Sequence, residues 1–63
     1  MKIHYKGLSD AREIAKKDFE ANGVTNQEKV VFNAENDFTA EVSAEAGKWL
    51  VESDPADFEE AKK

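Results

Sequence analysis

The chain contains no cysteine, one proline and three glycines. Without cysteine it can form neither a disulfide framework nor a thiolate metal site, so side-chain packing has to supply its stability. Long apolar runs are also lacking, and no segment approaches the roughly 20 residues of a membrane-spanning helix. The first residues, Met1 to Lys6, lack the apolar stretch of a secretory signal peptide. We therefore expect an intracellular protein that is neither secreted nor inserted into a membrane.

Basic residues are fewer than acidic ones. Nine Lys and Arg residues stand against fourteen Asp and Glu residues, which gives a formal charge of −5 at pH 7. This charge repels nucleic acid phosphates and anionic lipid, so we expect no direct contact with nucleic acid or a membrane surface. The simplest interpretation is that the carboxylates keep a small domain soluble. The alternative is that they imitate the phosphates of a nucleic acid.

The length of 63 residues allows a single domain, 1–63. Residues 2 to 6 alternate between apolar and polar side chains, which predicts a first strand. Asp10 and Glu13 have the spacing of a capping box, and together with the apolar spacing that follows they predict a helix over 10–22. The alternative is an extended segment over Ala11–Ile14 followed by a shorter helix from Lys16.

The second half begins with a predicted hairpin. Lys29–Asn33 contains β-branched and aromatic residues that favour a strand. Ala34–Asp37 has the composition of a turn, because Asn and Asp tolerate left-handed backbone. Phe38–Val42 alternates with period two. These features predict that the two strands pair in antiparallel fashion.

A second helix follows the Phe38–Val42 strand directly. Ser43 is the expected N-cap, and Trp49 and Leu50 fall on the same helical face as Ala46. Gly47 costs about 1 kcal/mol in a helix interior, so we expect another element to approach closely there. Pro55 disfavours helix at the residue before it and marks the end.

The last residues allow two interpretations. Phe58 lies either in a short final strand or in a helical turn, and residues 59–63 are expected to form a flexible tail. The predicted fold class is α+β, a small three- or four-stranded, mainly antiparallel sheet packed with two helices. The predicted core consists of Ile3, Tyr5, Leu8, Ile14, Phe19, Val30, Phe32, Phe38, Val42, Trp49, Leu50 and Phe58, with Trp49 at its centre.

This core has too many large side chains for one face of so short a chain. We therefore expect some aromatic side chains to be exposed and shared with a partner protein. Phe32, Phe38 and Phe58 are the candidate partner-binding residues.

Residues with catalytic or ligand-binding chemistry are sparse. His4 is the sole histidine, and as a catalytic base it would need an orienting carboxylate and a nucleophile beside it. Asn33 to Asp37 bunches oxygen ligands that could attract calcium, but the spacing of an EF-hand is missing, so turn chemistry is the better explanation. No phosphate-binding loop, nucleophile elbow or zinc motif is present. We predict a protein that is not an enzyme, with no catalytic residues, no metal and no cofactor.

The motifs of the second half resemble those of a known class of proteins. Lys29-Val-Val-Phe-Asn, the run from Phe38 to Val51 and Asp57-Phe58-Glu59 are similar to segments of small proteins encoded in the structural gene blocks of tailed bacteriophages. In the first half, Ile14, Asp18-Phe19 and Gly23-Val24 resemble versions of these proteins with an extra amino-terminal unit. The resemblance implies a virion-associated or assembly protein near the capsid or the head–tail junction.

Two functions from different classes are therefore expected. The first is a non-enzymatic structural module that binds another protein, such as a phage coat, portal or connector component, in the host cytoplasm or the virion. The alternative is an acidic regulator that binds a host enzyme as a nucleic-acid mimic. The sequence does not distinguish a monomer from a homo-oligomer.

Overall fold

A computed structural model describes residues 1–61 and shows an α+β domain in which all strand pairs are antiparallel. This confirms the predicted fold class. The elements in chain order are β1 (Lys2–Tyr5), β2 (Ala11–Ile14), α1 (Lys16–Ala21), β3 (Val30–Asn33), a 3-10 turn (Ala34–Asn36), β4 (Thr39–Glu41), α2 (Ala44–Ser53) and β5 (Phe58–Glu60). Neither helix is long and apolar enough to cross a bilayer.

The strands form two sheets. One has the order β4-β1-β5, with β1 in the centre, and the other consists of β2 and β3. The predicted hairpin between residues 29–33 and 38–42 is therefore wrong, because β3 pairs with β2 and β4 pairs with β1. Asp37 and Phe38, which lie between the two strands, both have positive φ. The backbone therefore changes direction after β3, before β4 begins.

The predicted helix over 10–22 is wrong in its first part, and the alternative is confirmed. Ala11–Ile14 is a strand, and helix α1 begins at Lys16. All of β2 pairs with β3, from Ala11 opposite Asn33 to Ile14 opposite Val30. Since local helix preference is weak, this long-range pairing together with the burial of Ile14 decides the conformation.

The core lies between the inner faces of the two sheets and the helices. Its buried residues are Ile3, Tyr5, Ile14, Phe19, Val24, Val30, Phe32, Val42, Ala46, Leu50 and Phe58. The Tyr5 ring centroid lies 6.2 Å from that of Phe32 and 5.4 Å from that of Phe58. Two predictions about the core are wrong: Leu8 is 101% exposed in the loop after β1, and Trp49 packs at the edge of the core, not at its centre.

Helix α2 begins and ends as predicted. The Ser43 hydroxyl accepts a hydrogen bond from the Ala46 N–H at 3.1 Å, and the helix stops at Ser53, ahead of Pro55. The close approach at Gly47 is also confirmed. A Cβ there would collide with the Met1 side chain and lie 3.2 Å from Cγ2 of Val42.

The chain's last strand joins its first. Phe58 lies in β5, so the strand interpretation is confirmed, and Glu59 pairs with His4 across the sheet. The Ala61 N–H donates to the Lys2 carbonyl at 2.9 Å. The predicted flexible tail is therefore wrong for residues 59–61, because their backbone continues the ladder. The rest of that prediction, residues 62 and 63, lies outside the described residues.

Candidate binding groove and the ion pairs of the sheet

The three predicted partner-binding residues do not form an exposed patch. Phe32 is 0% and Phe58 1% exposed, which overturns their proposed role as surface contacts. Two sheets supply two inner faces, so the domain buries more aromatic side chains than a single sheet would. Phe38 is half-buried, with its ring centroid 6.4 Å from that of Tyr5. Only Phe38 of the three reaches the surface.

A different surface contains the exposed part of an aromatic side chain. An open groove of about 380 Å³ lies where β2, both helices and the start of β5 meet. Its lining includes four apolar side chains and six polar ones. The apolar residues are Ile14, Trp49, Leu50 and Phe58; the polar ones are Arg12, Glu13, Asp18, Asn22, Ser53 and Asp54. We call this surface the Trp49 groove.

Trp49 is half-buried because of its position on α2. Ala46 and Leu50 on that helix are buried, and Trp49 lies on the flank of the face they form. Its indole and the Phe19 ring of α1 form an edge-to-face contact, with the ring centroids 5.5 Å apart and an interplanar angle of 69°. One part of the indole is therefore fixed by the core, and another part is left to line the groove.

Two of the charged residues in the groove have partners. The Arg12 guanidinium lies 5.4 Å from the centre of the Phe58 ring, and its Nη1 is 4.0 Å from Oδ2 of Asp57. Glu13 binds Lys29 across the β2–β3 pair, with 3.1 Å between Oε2 and Nζ. These contacts balance the charges of Arg12 and Glu13 locally.

The other two carboxylates are different. Asp18 on α1 and Asp54 at the end of α2 form no ion pair with any residue in the described range 1–61. They line the same groove as Trp49. After the pairs of Arg12 and Glu13 are discounted, the groove has a net negative charge next to an aromatic surface.

The sole histidine has a carboxylate partner on the outer face of the three-stranded sheet. Nδ1 of His4 lies 3.0 Å from Oε2 of Glu59, and Nζ of Lys6 lies 3.6 Å from Oε1 of the same residue. The hydrogen bond to His4 and the charge of Lys6 lower the pKa of the Glu59 carboxyl below its usual value. The sequence does not indicate this role of Glu59, because it predicts a flexible tail over 59–63.

Among residues 1–61, the hydroxyl group on the strand beside His4 is not free to act as a nucleophile with this pair. Thr39 lies opposite His4 on the other neighbouring strand, but its hydroxyl donates to the Asp37 carbonyl at 3.1 Å. The pair is also exposed, with about half of the Glu59 side chain open to solvent. Its geometry is that of a cross-strand side-chain contact that connects β5 to β1.

The polar side chains of the oxygen-rich turn form hydrogen bonds to the backbone of the turn itself. The Asn33 side chain accepts hydrogen bonds from the N–H groups of Glu35 and Asn36, at 3.0 and 3.3 Å. The Asn36 side-chain oxygen accepts from the Asn33 N–H at 3.0 Å, which completes a capping box. Within residues 1–61, no group of three or more His, Cys, Asp and Glu side chains has a metal-binding arrangement.

The carboxylates are dispersed over the domain. Exposed acidic residues occur on both helices, on the sheet and in the 3-10 turn, as Glu20, Glu52, Glu59 and Glu35 illustrate. A mimic of nucleic acid would need its carboxylates in a row at phosphate-like spacing. The described elements spread them in several directions.

The groove could not have been recognised from its sequence. The sequence places Arg12 either in a helix or in an extended segment without a predicted partner, and it places Trp49 at the centre of the core. Neither prediction brings the two residues to one surface. Comparisons with protein-family models, with curated proteins and with solved structures found no significant match to this chain. The resemblance to phage structural proteins therefore stays a hypothesis based on short motifs.

Proposed function

We propose that this protein is a non-enzymatic protein-binding module and that the Trp49 groove is its contact surface. The observation that carries the proposal is a partly buried tryptophan that lines an open groove together with other apolar and polar side chains. Binding energy at protein interfaces is concentrated in a few aromatic and arginine side chains, surrounded by a polar rim. Trp49 has the position of such an anchor, and Arg12 lies in the same groove.

The rigidity of the groove supports this role. The indole packs edge-to-face with Phe19, and the Arg12 guanidinium lies over the Phe58 ring and 4.0 Å from the Asp57 carboxylate. Side chains that are ordered before binding lose less conformational entropy when a partner arrives. The groove therefore offers contact area at low entropic cost.

A non-enzymatic role agrees with the state of the reactive side chains. His4 is engaged with Glu59, and the hydroxyl of Thr39 is engaged with a backbone carbonyl. An active site would need such groups free and directed at a bound substrate. Here they stabilise the sheet and its turn.

The class of partner is taken from the motif resemblance. We propose a phage coat, portal or connector protein, with assembly in the host cytoplasm and retention in the virion. The short motifs on β3, β4 and α2 support this proposal.

Site-specific cross-linking tests the proposed function. A photoreactive amino acid is placed at Ser53, in the groove, and in a control variant at Glu41, which is exposed on β4. We expect Ser53 to capture a coat, portal or connector protein from lysate of the source cells, and Glu41 not to. Equal capture from both positions, or none from Ser53, overturns the proposal. Capture of a DNA-handling enzyme that is lost on adding salt supports the nucleic-acid mimic instead.

A further inference from the structure

We infer that the partner segment in the Trp49 groove presents a lysine or arginine side chain, whose cation lies against the indole beside Asp18 and Asp54. This inference rests on the proposed function and specifies the chemistry of the occupant. It follows from the charges that the folded domain leaves unbalanced in the groove.

Two of the four charged side chains in the groove are compensated by ion pairs, and two are not. Arg12 is paired with Asp57, and Glu13 is paired with Lys29. Asp18 and Asp54 remain without an ion-pair partner among residues 1–61. A neutral or acidic segment would cover these carboxylates without compensation, whereas a cationic segment offsets their loss of hydration.

The Trp49 indole gives the groove an aromatic surface. Tryptophan is the side chain that attracts cations most strongly through its ring face. The groove already contains one such arrangement, because the Arg12 guanidinium lies 5.4 Å from the Phe58 ring centre. That pair occupies Phe58 and leaves Trp49 as the aromatic residue at the groove surface.

Binding of a cation in the groove differs from general attraction by the net charge of the chain. The chain has a formal charge of −5, so any cation is attracted weakly. If the site is specific, the carboxylates in the groove contribute more to the affinity for a basic segment than equal charges elsewhere on the same helices. Glu20 on α1 and Glu52 on α2 provide that comparison, because both are exposed and neither lines the groove.

A peptide titration tests the inference. The probe is a blocked peptide of three Gly-Arg repeats, and the control peptide has Glu in place of Arg. Binding is followed by the fluorescence of Trp49, the chain's single tryptophan. We expect saturable binding of the arginine peptide only, with a Kd about tenfold weaker in Asp18→Asn/Asp54→Asn and less than about twofold weaker in Glu20→Gln/Glu52→Gln.

Two results would overturn the inference. One is equal weakening by the groove variant and the control variant, which would show attraction by net charge alone. The other is no binding of the arginine peptide. If a double variant does not fold, judged by circular dichroism, the comparison is made between Asp18→Asn and Glu20→Gln singly. Cross-linking from Ser53 without binding of the arginine peptide would reject this inference and leave the proposed function standing.

Discussion

At the scale of single residues, the backbone between β3 and β4 is the least expected feature. Asp37 and Phe38 have φ values of 58° and 56°, in the left-handed region. Asp enters this region readily, but an aromatic residue rarely does. Phe38 is held there because its N–H donates to the Asn33 carbonyl and its own carbonyl accepts from the Tyr5 N–H, both at 2.7 Å. The turn composition predicted the conformation of Asp37; nothing local predicted that of Phe38.

Substitutions at Asp37 should follow the cost of left-handed backbone. We expect Asp37→Gly to raise the free energy of unfolding by about 0.5 kcal/mol and Asp37→Ala to lower it by about 1 kcal/mol. The measurement is urea denaturation followed by Trp49 fluorescence. An alanine variant as stable as the glycine variant would show that the left-handed conformation does not persist in solution.

The different burial of two aromatic residues gives a second prediction. Phe32→Ala removes a fully buried ring and should lower the free energy of unfolding by about 3–5 kcal/mol. Trp49→Ala removes a half-buried side chain at the groove and should cost about 1–2 kcal/mol. Circular dichroism during thermal unfolding compares the two. If the Trp49 variant were the less stable one, Trp49 would belong to the centre of the core after all.

At the scale of elements, prediction succeeded where the determining contacts are local. The cap of α2 at Ser43 and its end before Pro55 can be recognised within the segment itself. Strand β2 could not be, because Ala11–Ile14 is extended only through its pairing with β3. For the same reason the sequence did not decide whether Phe58 lies in a strand. Its strand, β5, pairs with a strand more than fifty residues earlier in the chain.

The contact between α2 and the first residue gives a third prediction. Alanine usually stabilises a helix by about 1 kcal/mol relative to glycine. At Gly47 we expect the opposite, a loss of about 1 kcal/mol, because the added methyl group displaces the Met1 side chain and crowds Val42. Urea denaturation measures the difference, and Lys48→Ala, at the neighbouring exposed position, is the control. A more stable Gly47→Ala protein would contradict this packing.

At the scale of the whole molecule, the division into two sheets explains why most aromatic side chains are buried. The sequence predicted the fold class and most of the core, but it could not show how the strands divide between sheets. A single sheet would have left rings exposed; two inner faces bury Phe32 and Phe58. The groove also depends on the complete fold, because the residues that line it come from elements that are separate in the sequence.

The pH dependence of the whole domain's stability should include a contribution from Glu59. Its pKa is lower in the folded protein than the usual 4.5, so the unfolded chain binds the proton more tightly. The stabilisation is present above about pH 4.5 and is lost as the pH falls through the folded pKa. Glu59→Gln should therefore flatten the decrease of the melting temperature on the acid side, whereas Glu20→Gln should not. Parallel acid profiles for the Glu59 variant and the unmodified protein would contradict this.

The central place of β1 also bears on how the protein is made. This strand leaves the ribosome before either of its neighbours, and its partners β4 and β5 belong to the second half of the chain. The apolar side chains of Ile3 and Tyr5 therefore have no sheet to join until β4 and β5 have been synthesised. Pairing over such sequence separations slows folding and prolongs the exposure of apolar surface. Newly made chains should depend on chaperones and be open to proteases until Phe58–Glu60 has emerged.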